Sequence, residues 1–536
     1  MTKIAFTAPH FSATEAGMSV LESGGNAVDA MIAAAAAIAV AYPHMNSLGG
    51  DSFWLIQCPG KEPIAIDASG MAAQQASPAF YGESGIPDRG PRAALTMAGT
   101  VAGWQKAREV VRQRPGHCWL PQQPIPKLLQ PAIDLAACGI EVTKSLAAAS
   151  EKTLQDLSQY ESFTSVFTCD GAALKAGDKF RNPALASLLT TLAEKGLMDF
   201  YCGQTAETIA EYLSSQGSPL TLQDFNQYQA DVLAPVSIKT SKGTLYNFTA
   251  PTQGIASLLI LAQYDKLYRR DWCEAERVHH LVECTKQAFM VRDRVVTDRQ
   301  RLPDEWKTLR TDEAVEQSAA KINPHKALDW PHEAKPGDTV WMGAMDSNGV
   351  MVSFIQSIYW EFGSGVVIPD YGLVWNNRGI SFSLDGRHPN VLAPGMKPFH
   401  TLNPAFAELN DGRRFTYGTM GGEGQPQTQA ALFTRHIYEN IPLKEAIALP
   451  RWLLGRTWGD VSHNLKLEKA LATAIGHELS ELGHEIAEVD NCNEMMGHAG
   501  GIIVNDNGDV QAATDPRSDG AALVKSITVE TTDEQR

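Results

Sequence analysis

Thr339 stands behind Gly337 and Asp338 at the point where the hydrophobic pattern of the chain changes. A threonine hydroxyl is a weak nucleophile that needs a base. At the start of a polypeptide it carries one, the free α-amino group, whose ordinary pKa of ~7.7–8.0 leaves a useful neutral fraction near neutral pH. Gly337 permits the unusual dihedrals that a strained self-cleavage would demand. If the chain is cut between Asp338 and Thr339, Thr339 becomes such a terminus. The ordinary alternative is a threonine that opens a strand, where this residue is common.

The elements around Thr339 change type on either side of it. Ala27 to Ala41 is a small-residue helical segment suited to close packing on a sheet, and Ser52 to Gln57 reads as a strand with a hairpin partner at Pro63 to Asp67. Lys127 to Ala137, Asn182 to Lys195, Gln204 to Ser214 and Ala275 to Arg294 carry apolar residues at helical spacing. Thr221 with Asp224 three residues on is a helix-start signal. Residues 295–337 are polar and read as an exposed connector. Beyond Thr339, residues 340–345, 350–355 and 415–418 read as strands. Helices return at Thr428 to Tyr438 and Leu465 to Leu482, and a hairpin with an Asn505–Gly508 turn closes the chain. Helices flanking mixed sheets imply a layered α+β or α/β architecture.

Composition narrows the function. The 536 residues carry a formal charge of -16 without Lys/Arg clusters, which argues against nucleic acid and anionic membranes. The eight cysteines are scattered with no Cys-x-x-Cys pair and read as unpaired thiols of a reducing compartment. No signal-peptide pattern opens the chain, and the most apolar window, Ala30 to Tyr42, is shorter than the ~20 residues a bilayer span requires. The expectation is a cytoplasmic protein. His10, His279, His280 and His498 lack metal-ligand spacing, and no glycine-rich stretch carries the Lys-Ser/Thr of a phosphate loop, so neither metal nor cofactor is expected. Glu283 and Lys286 should pair on one helical face.

Ordered motifs then point to a family. Pro9-His10 through Gly17, Gly24 to Ala30, Pro43-His44 through Gly50, Gly99 to Gly103, Gln130-Pro131-Ala132, Phe362 to Gly365, Asn376-Asn377, Gly421-Gly422 and Asp515 to Gly520 resemble the γ-glutamyltransferase family of N-terminal nucleophile hydrolases. The resemblance implies an α+β, four-layer αββα sandwich and an autoprocessed heterodimer of residues 1–338 and 339–536, the second beginning at the nucleophile. It allows a dimer of these heterodimers. Thr339 would attack an amide carbonyl, Ser357 would support it, and backbone N–H groups of Gly421 and Gly422 would hold the oxyanion.

Departures from the family pattern carry the substrate expectation. Ser69 stands where an arginine binds the substrate α-carboxylate. Arg378, Gly379, Ile380 and Ser381 follow Asn376-Asn377 where acids bind the α-amino group, and His400-Thr401 replaces paired serines. Both charge partners of a glutamyl head are gone, which would leave its charges poorly paired. Arg378 is new, and a guanidinium suits a bidentate grip on a carboxylate. The expected substrate is a small anionic amide bound by Tyr359, Arg378, Asn376, His400 and Thr401, with Arg89 or Arg92 as second candidates for the carboxylate. Trp341, Trp360 and Phe399 could add bulk to the pocket. The 42–54, 356–359 and 400–404 stretches resemble a cytosolic branch of the family that includes oxamate amidohydrolases of purine nitrogen use. The resemblance therefore favours oxamate cleaved to oxalate and ammonia. A γ-glutamyl transferase or glutathione hydrolase and a glutaryl-type acylase remain the alternatives.

Overall fold

A computed structural model describes residues 2–114, 118–330, 337–455 and 463–528. Two antiparallel sheets form its centre. The first runs in the order Ala521–Ile527, Thr2–Ala8, Asp338–Met345, Met351–Tyr359, Asp51–Gln57, Ile64–Ala68, Asp231–Leu233. The second runs Val510–Thr514, Gly500–Val504, Arg414–Gly418, Ala405–Leu409, Gly243–Asn247, Val236–Lys239. They face each other across a core that includes Phe53, Ile355, Phe248, Phe406 and Ile502. Helices Phe11–Glu22, Ala27–Ala41 and Thr100–Gln113 cover the outer face of the first sheet. Helices Gly254–Leu267 and Gln425–Phe433 cover the second, with Glu274–Val295 packed behind them. The result is the expected α+β, four-layer αββα sandwich.

The Ala27–Ala41 helix is buried along its whole length. Its small side chains let it lie directly on the strands that begin at Asp338 and Met351. Asn26 caps its first turn, accepting from Asp29 N at 2.8 Å. Asp346, in the turn after the Thr339 strand, accepts from Ala27 N at 3.0 Å. The capping box at Thr221 and Asp224 is present, and the pair Lys286–Glu283 forms at 2.6 Å.

Several expectations need correction. Residues 465–468 form a strand, and the helix begins only at Lys469. Leu465 and Leu467 alternate as strand residues, yet they also fit the helical spacing of the segment that follows. The helix from Gln425 ends at Phe433 and continues as a π-turn over Thr434–Tyr438. Residues 295–330 are no simple connector: Asp312–Ala319 is a helix, Asp298 is buried, and Arg299 pairs with Asp67. The rest of that stretch, 331–336, lies outside the described residues. Cys58 and Cys118 form a disulfide although 60 residues separate them, a pairing no local pattern reveals, while the other six cysteines are free.

Candidate active site

Thr339 is the second residue of the Asp338–Met345 strand and is wholly buried. Its Oγ1 donates to the carbonyl oxygen of Asp338 at 2.5 Å, and its N–H donates to Asp338 Oδ1 at 2.9 Å. Ser357 Oγ, on the adjacent strand, donates to the same Asp338 carbonyl. Two hydroxyls thus converge on the carbonyl of the bond that precedes Thr339. Gln425 Nε2 approaches Thr339 Oγ1 at 3.5 Å, and Gln425 Oε1 accepts from Asn403 N at 3.2 Å. Burial and the nearby acids Glu361 and Glu494 push the Asp338 carboxyl well above its ordinary range.

The backbone around this bond is unusual where it touches Thr339's neighbours. The register between the two central strands shifts between Gln356 and Tyr359, and Tyr359 has φ 82°. Non-glycine residues in that region cost of order 1–3 kcal/mol and need surrounding structure to hold them. Here Tyr359 N donates to Ser357 Oγ at 2.8 Å, so the bend also orients the Ser357 hydroxyl. Gly421 and Gly422 have φ 115° and 53°. A Cβ on Gly422 would meet Gly337 N at 3.0 Å, so a glycine is needed for the close approach of these two backbones. Gln253 Nε2 ties Gly422 O at 2.8 Å to Thr401 O at 2.7 Å, and Arg292 Nη1 holds the other end of Gln253 at 3.0 Å.

Beside Asp338 lies a cavity of about 280 Å³, lined partly by His44, Met45, Ser145, Met420, Gly421 and Glu494. His44 Nε2 lies 2.9 Å from Ser145 Oγ, which donates to Glu494 Oε1 at 2.5 Å. His498 Nε2 is 3.2 Å from the same Glu494 oxygen. Burial would raise the Glu494 carboxyl, but His498, Ser145 and His44 outweigh it and hold it at about 2. Burial lowers His44 to about 3, so its imidazole is neutral near neutral pH.

Behind Tyr359 is a second buried cluster. Arg378 Cζ sits 3.9 Å from the centre of the Tyr359 ring. Its Nη1 reaches Thr401 Oγ1 at 3.3 Å, while Nε and Nη2 have no hydrogen-bond partner among the described residues. Both ring nitrogens of His400 are likewise unbonded. Asp51 Oδ2 lies 3.9 Å from Arg378 Nε and 3.6 Å from His400 Nε2. Burial lowers Arg378 to about 10 and drives His400 well below its ordinary value. Burial raises Asp51 to about 7 against the opposing pull of Arg378. Gly337 abuts the Tyr359 ring.

The structure brings Thr339, Ser357, Asp338, Gly421, Gly422, Tyr359, Arg378, His400 and Thr401 into this region. Three other expected binding residues have their side chains engaged within the chain. Asn376 is spent on the scaffold: its amide oxygen accepts from Thr96 Oγ1 at 2.9 Å and Arg378 N at 3.0 Å, and its Nδ2 donates to Gly49 O at 2.9 Å. It therefore positions the Arg378 loop. Arg89 donates to the carbonyls of Glu361 and Gly363 and lies over Trp360, fixing that loop. Arg92 is engaged with Phe80.

The other aromatics also divide. Trp341 fills the intersheet core and donates to Ser353 Oγ at 2.9 Å. Phe399 belongs to the core of the second helix layer. Ser69 is buried and donates to Asp67 Oδ1 at 2.5 Å. Asp51, Gln425, Gln253 and the His44–Ser145–Glu494 chain were missed in the sequence. Asp51 left a trace there as an acid directly after Gly49-Gly50 at the start of an apolar strand, and His44 as part of the Pro43-His44 motif.

One His-Glu-His group exists among the described residues. His279, Glu283 and His484 have ligand-capable atoms within 4.8 Å of one another, a juxtaposition that local spacing could not show. Hydrogen bonds use these atoms: His279 Nδ1 lies 2.8 Å from His484 Nε2, and Glu283 accepts from Lys286 Nζ and Leu328 N. No helix of the described residues is long and apolar enough to cross a membrane.

Comparisons with known proteins place nearly the whole chain beside one family. The model of the family described as gamma-glutamyltranspeptidase matches residues 13–525. The oxamate amidohydrolase proenzyme of Klebsiella pneumoniae is 50% identical over 516 residues, covering 96% of this chain and 97% of that protein. The glutathione hydrolase-like YwrD proenzyme of Bacillus subtilis is 37% identical over 97% of this chain and 98% of its own length. Among solved structures, a cephalosporin acylase from Bacillus halodurans superposes with a TM-score of 0.86 at 29% identity, over 97% of this chain and 95% of that one.

Proposed function

The chain belongs to the gamma-glutamyltranspeptidase family, and on that premise we propose that it is an autoprocessed amide-bond hydrolase whose nucleophile is Thr339 and whose substrate is oxamate or a close carboxylate-bearing amide. The observation that carries this reading is the convergence of the Thr339 and Ser357 hydroxyls on the Asp338 carbonyl. In the precursor, Thr339 Oγ1 attacks the Asp338 carbonyl carbon, the peptide C–N bond breaks, and an ester forms while the nitrogen becomes the Thr339 α-amine. Water then hydrolyses the ester. The fragments 1–338 and 339–536 result, and the α-amine serves as the base for Thr339.

In turnover, Thr339 Oγ1 attacks the amide carbon of the substrate and its proton passes to the α-amine. Backbone N–H groups of Gly421 and Gly422 stabilise the oxyanion, each donor of this kind being worth ~2.7–4 kcal/mol. Ammonia departs with that proton, and water releases the acyl group from Thr339 as oxalate. Arg378 offers its unbonded Nε and Nη2 to the substrate carboxylate. A buried donor without a partner costs about 1–3 kcal/mol, more when charged, and a carboxylate relieves that cost. Ser69 stands at the position in the sequence where γ-glutamyl enzymes carry their arginine, and its hydroxyl is bonded to Asp67.

A second reading, an acylase for larger N-acyl substrates such as glutaryl amides, is favoured by the 280 Å³ cavity, which exceeds what oxamate requires. The deciding experiment has two parts. A denaturing gel with N-terminal sequencing should give two fragments, the smaller starting at Thr339. Ammonia or amine release is then compared on oxamate, a γ-glutamyl anilide and a glutaryl amide, and oxamate should lead. A single active band, or a fragment starting elsewhere, overturns the nucleophile. Preference for the glutaryl amide selects the second reading.

A further inference from the structure

The cluster behind Tyr359 contains an acid that the carboxylate-binding reading does not use. Asp51 is completely buried, and its Oδ1 accepts from Gly70 N at 2.8 Å. Its Oδ2 has no hydrogen-bond partner among the described residues and faces both Arg378 Nε at 3.9 Å and His400 Nε2 at 3.6 Å. Both distances exceed a hydrogen bond. Asp51 therefore neutralises part of the Arg378 charge without occupying the guanidinium's donors. A substrate carboxylate seated on Nε and Nη2 would come against Asp51, and two carboxylates in a buried site cannot both stay ionised on one arginine.

We propose that Asp51 is a specificity-determining residue that takes up a proton when the substrate carboxylate binds Arg378, so that the enzyme binds its anion together with one proton. This rests on the anionic-amide reading above. The protonated Asp51 then presents an O–H at Oδ2, a donor that can serve the incoming carboxylate directly or through His400. His400, forced neutral by burial, Arg378 and Lys397, adds no second positive charge.

The other charged groups around Asp51 leave it free to play this part. Asp67 lies close enough to raise it, but Asp67 is itself bound by Lys397 at 3.0 Å and by Arg299. Lys397 is thereby committed to Asp67 and Asp231. Tyr201 and Tyr228 stay neutral, since burial raises both hydroxyls and Asp51 adds to the effect. Tyr359 carries a hydroxyl likewise raised by burial. Asp51 is thus the acid in this cluster without a committed cation. Burial already brings it to about 7, where a further anion tips it to the neutral form.

The consequence is a linkage between anion affinity and pH. Below the pKa of free Asp51 the proton is already present, and binding takes up none. Above it, each bound anion brings one proton, and affinity falls up to tenfold per pH unit. The test is isothermal titration of processed wild-type enzyme with oxalate, which carries the carboxylate and is not turned over. Each pH is run in two buffers of different ionisation enthalpy, so that the proton count is read directly. The expected count rises from near zero at pH 5.5 to near one at pH 8.5. Asp51→Asn, which keeps the acceptor for Gly70 N, should bind oxalate with no uptake and with affinity flat over that range.

Oxalate binding by the wild type with no uptake at pH 8.5 overturns the proposal and leaves the anionic-substrate reading intact. Uptake that persists in Asp51→Asn also overturns it. No oxalate binding at any pH overturns the anionic-substrate reading itself, and the proposal with it. A wild-type count of zero at pH 8.5 overturns the proposal even if the variant does not fold, and the variant assigns a positive count to Asp51 rather than to the Thr339 α-amine.

Discussion

Thr339 Oγ1 rests 2.5 Å from the carbonyl oxygen of Asp338, the acyl side of its own peptide bond. Ser357 holds that oxygen from the other strand. A hydroxyl bonded to a carbonyl oxygen sits beside its carbon as well, and a second donor on the oxygen draws electron density from that carbon. Ser357 lies in the register shift between Gln356 and Tyr359, where its hydroxyl meets the carbonyl that Thr339 also holds.

Thr339→Ala should remain one chain of 536 residues and show no amide hydrolysis, read on a denaturing gel and by ammonia release. Thr339→Ser should still cut. Ser357→Ala removes a donor from the carbonyl and should slow processing by roughly 10²–10³-fold, the usual loss for one such donor. Normal processing in Ser357→Ala would remove its assigned role.

Gly422→Ala places a Cβ 3.0 Å from Gly337 N on a residue with φ 53°. The left-handed conformation alone costs an alanine about 1–2 kcal/mol. The precursor should melt at lower temperature, and processing should slow, because the Gly337 backbone is pushed from the scissile geometry. Time courses of fragment appearance alongside calorimetry check both effects.

Arg378→Ala should raise KM for oxamate roughly 10- to 150-fold, the range for losing hydrogen bonds to a charged group. KM for a neutral amide of similar size should change little. Equal increases for both substrates would place Arg378 outside carboxylate recognition.

Acid should unfold the protein partly through Asp67. Burial raises its carboxyl, but Lys397 and Arg299 outweigh burial and hold it at about 2, against an ordinary 3.8. The native state therefore binds fewer protons than the unfolded chain between these values. Its contribution is full above about 4, is lost as pH falls towards 2, and amounts to about 2 kcal/mol. Urea midpoints measured from pH 5 to pH 2.5 should fall more steeply for wild type than for Asp67→Asn.

Much of this site was legible in the sequence because family motifs hold their order. Thr339, Ser357, Gly421 and Gly422 stand on backbone positions that motif spacing preserves, and Arg378 and His400-Thr401 stood out as departures at those positions. Partners that depend on three-dimensional burial were not legible. Asp51 reads as the end of a glycine turn until its carboxyl is seen against Arg378. Glu494 meets Ser145 across 349 positions. Trp341 was misjudged because its strand alternates between two buried faces, and only the fold shows that it points between the sheets. Asn376 was expected to bind substrate, but its three side-chain hydrogen bonds go to Thr96, Arg378 N and Gly49 O.

The first sheet interleaves strands from both sides of residue 338: Thr2–Ala8 and Asp51–Gln57 flank the pair Asp338–Met345 and Met351–Tyr359, and Ala521–Ile527 closes the edge beside Thr2–Ala8. A cut at that position would create two polypeptides that never had to find each other. Their association would carry no encounter step and no dependence on protein concentration, because neither piece has a complete sheet to retreat to. Dilution should not separate them, and fragments made apart should recover activity only by folding together.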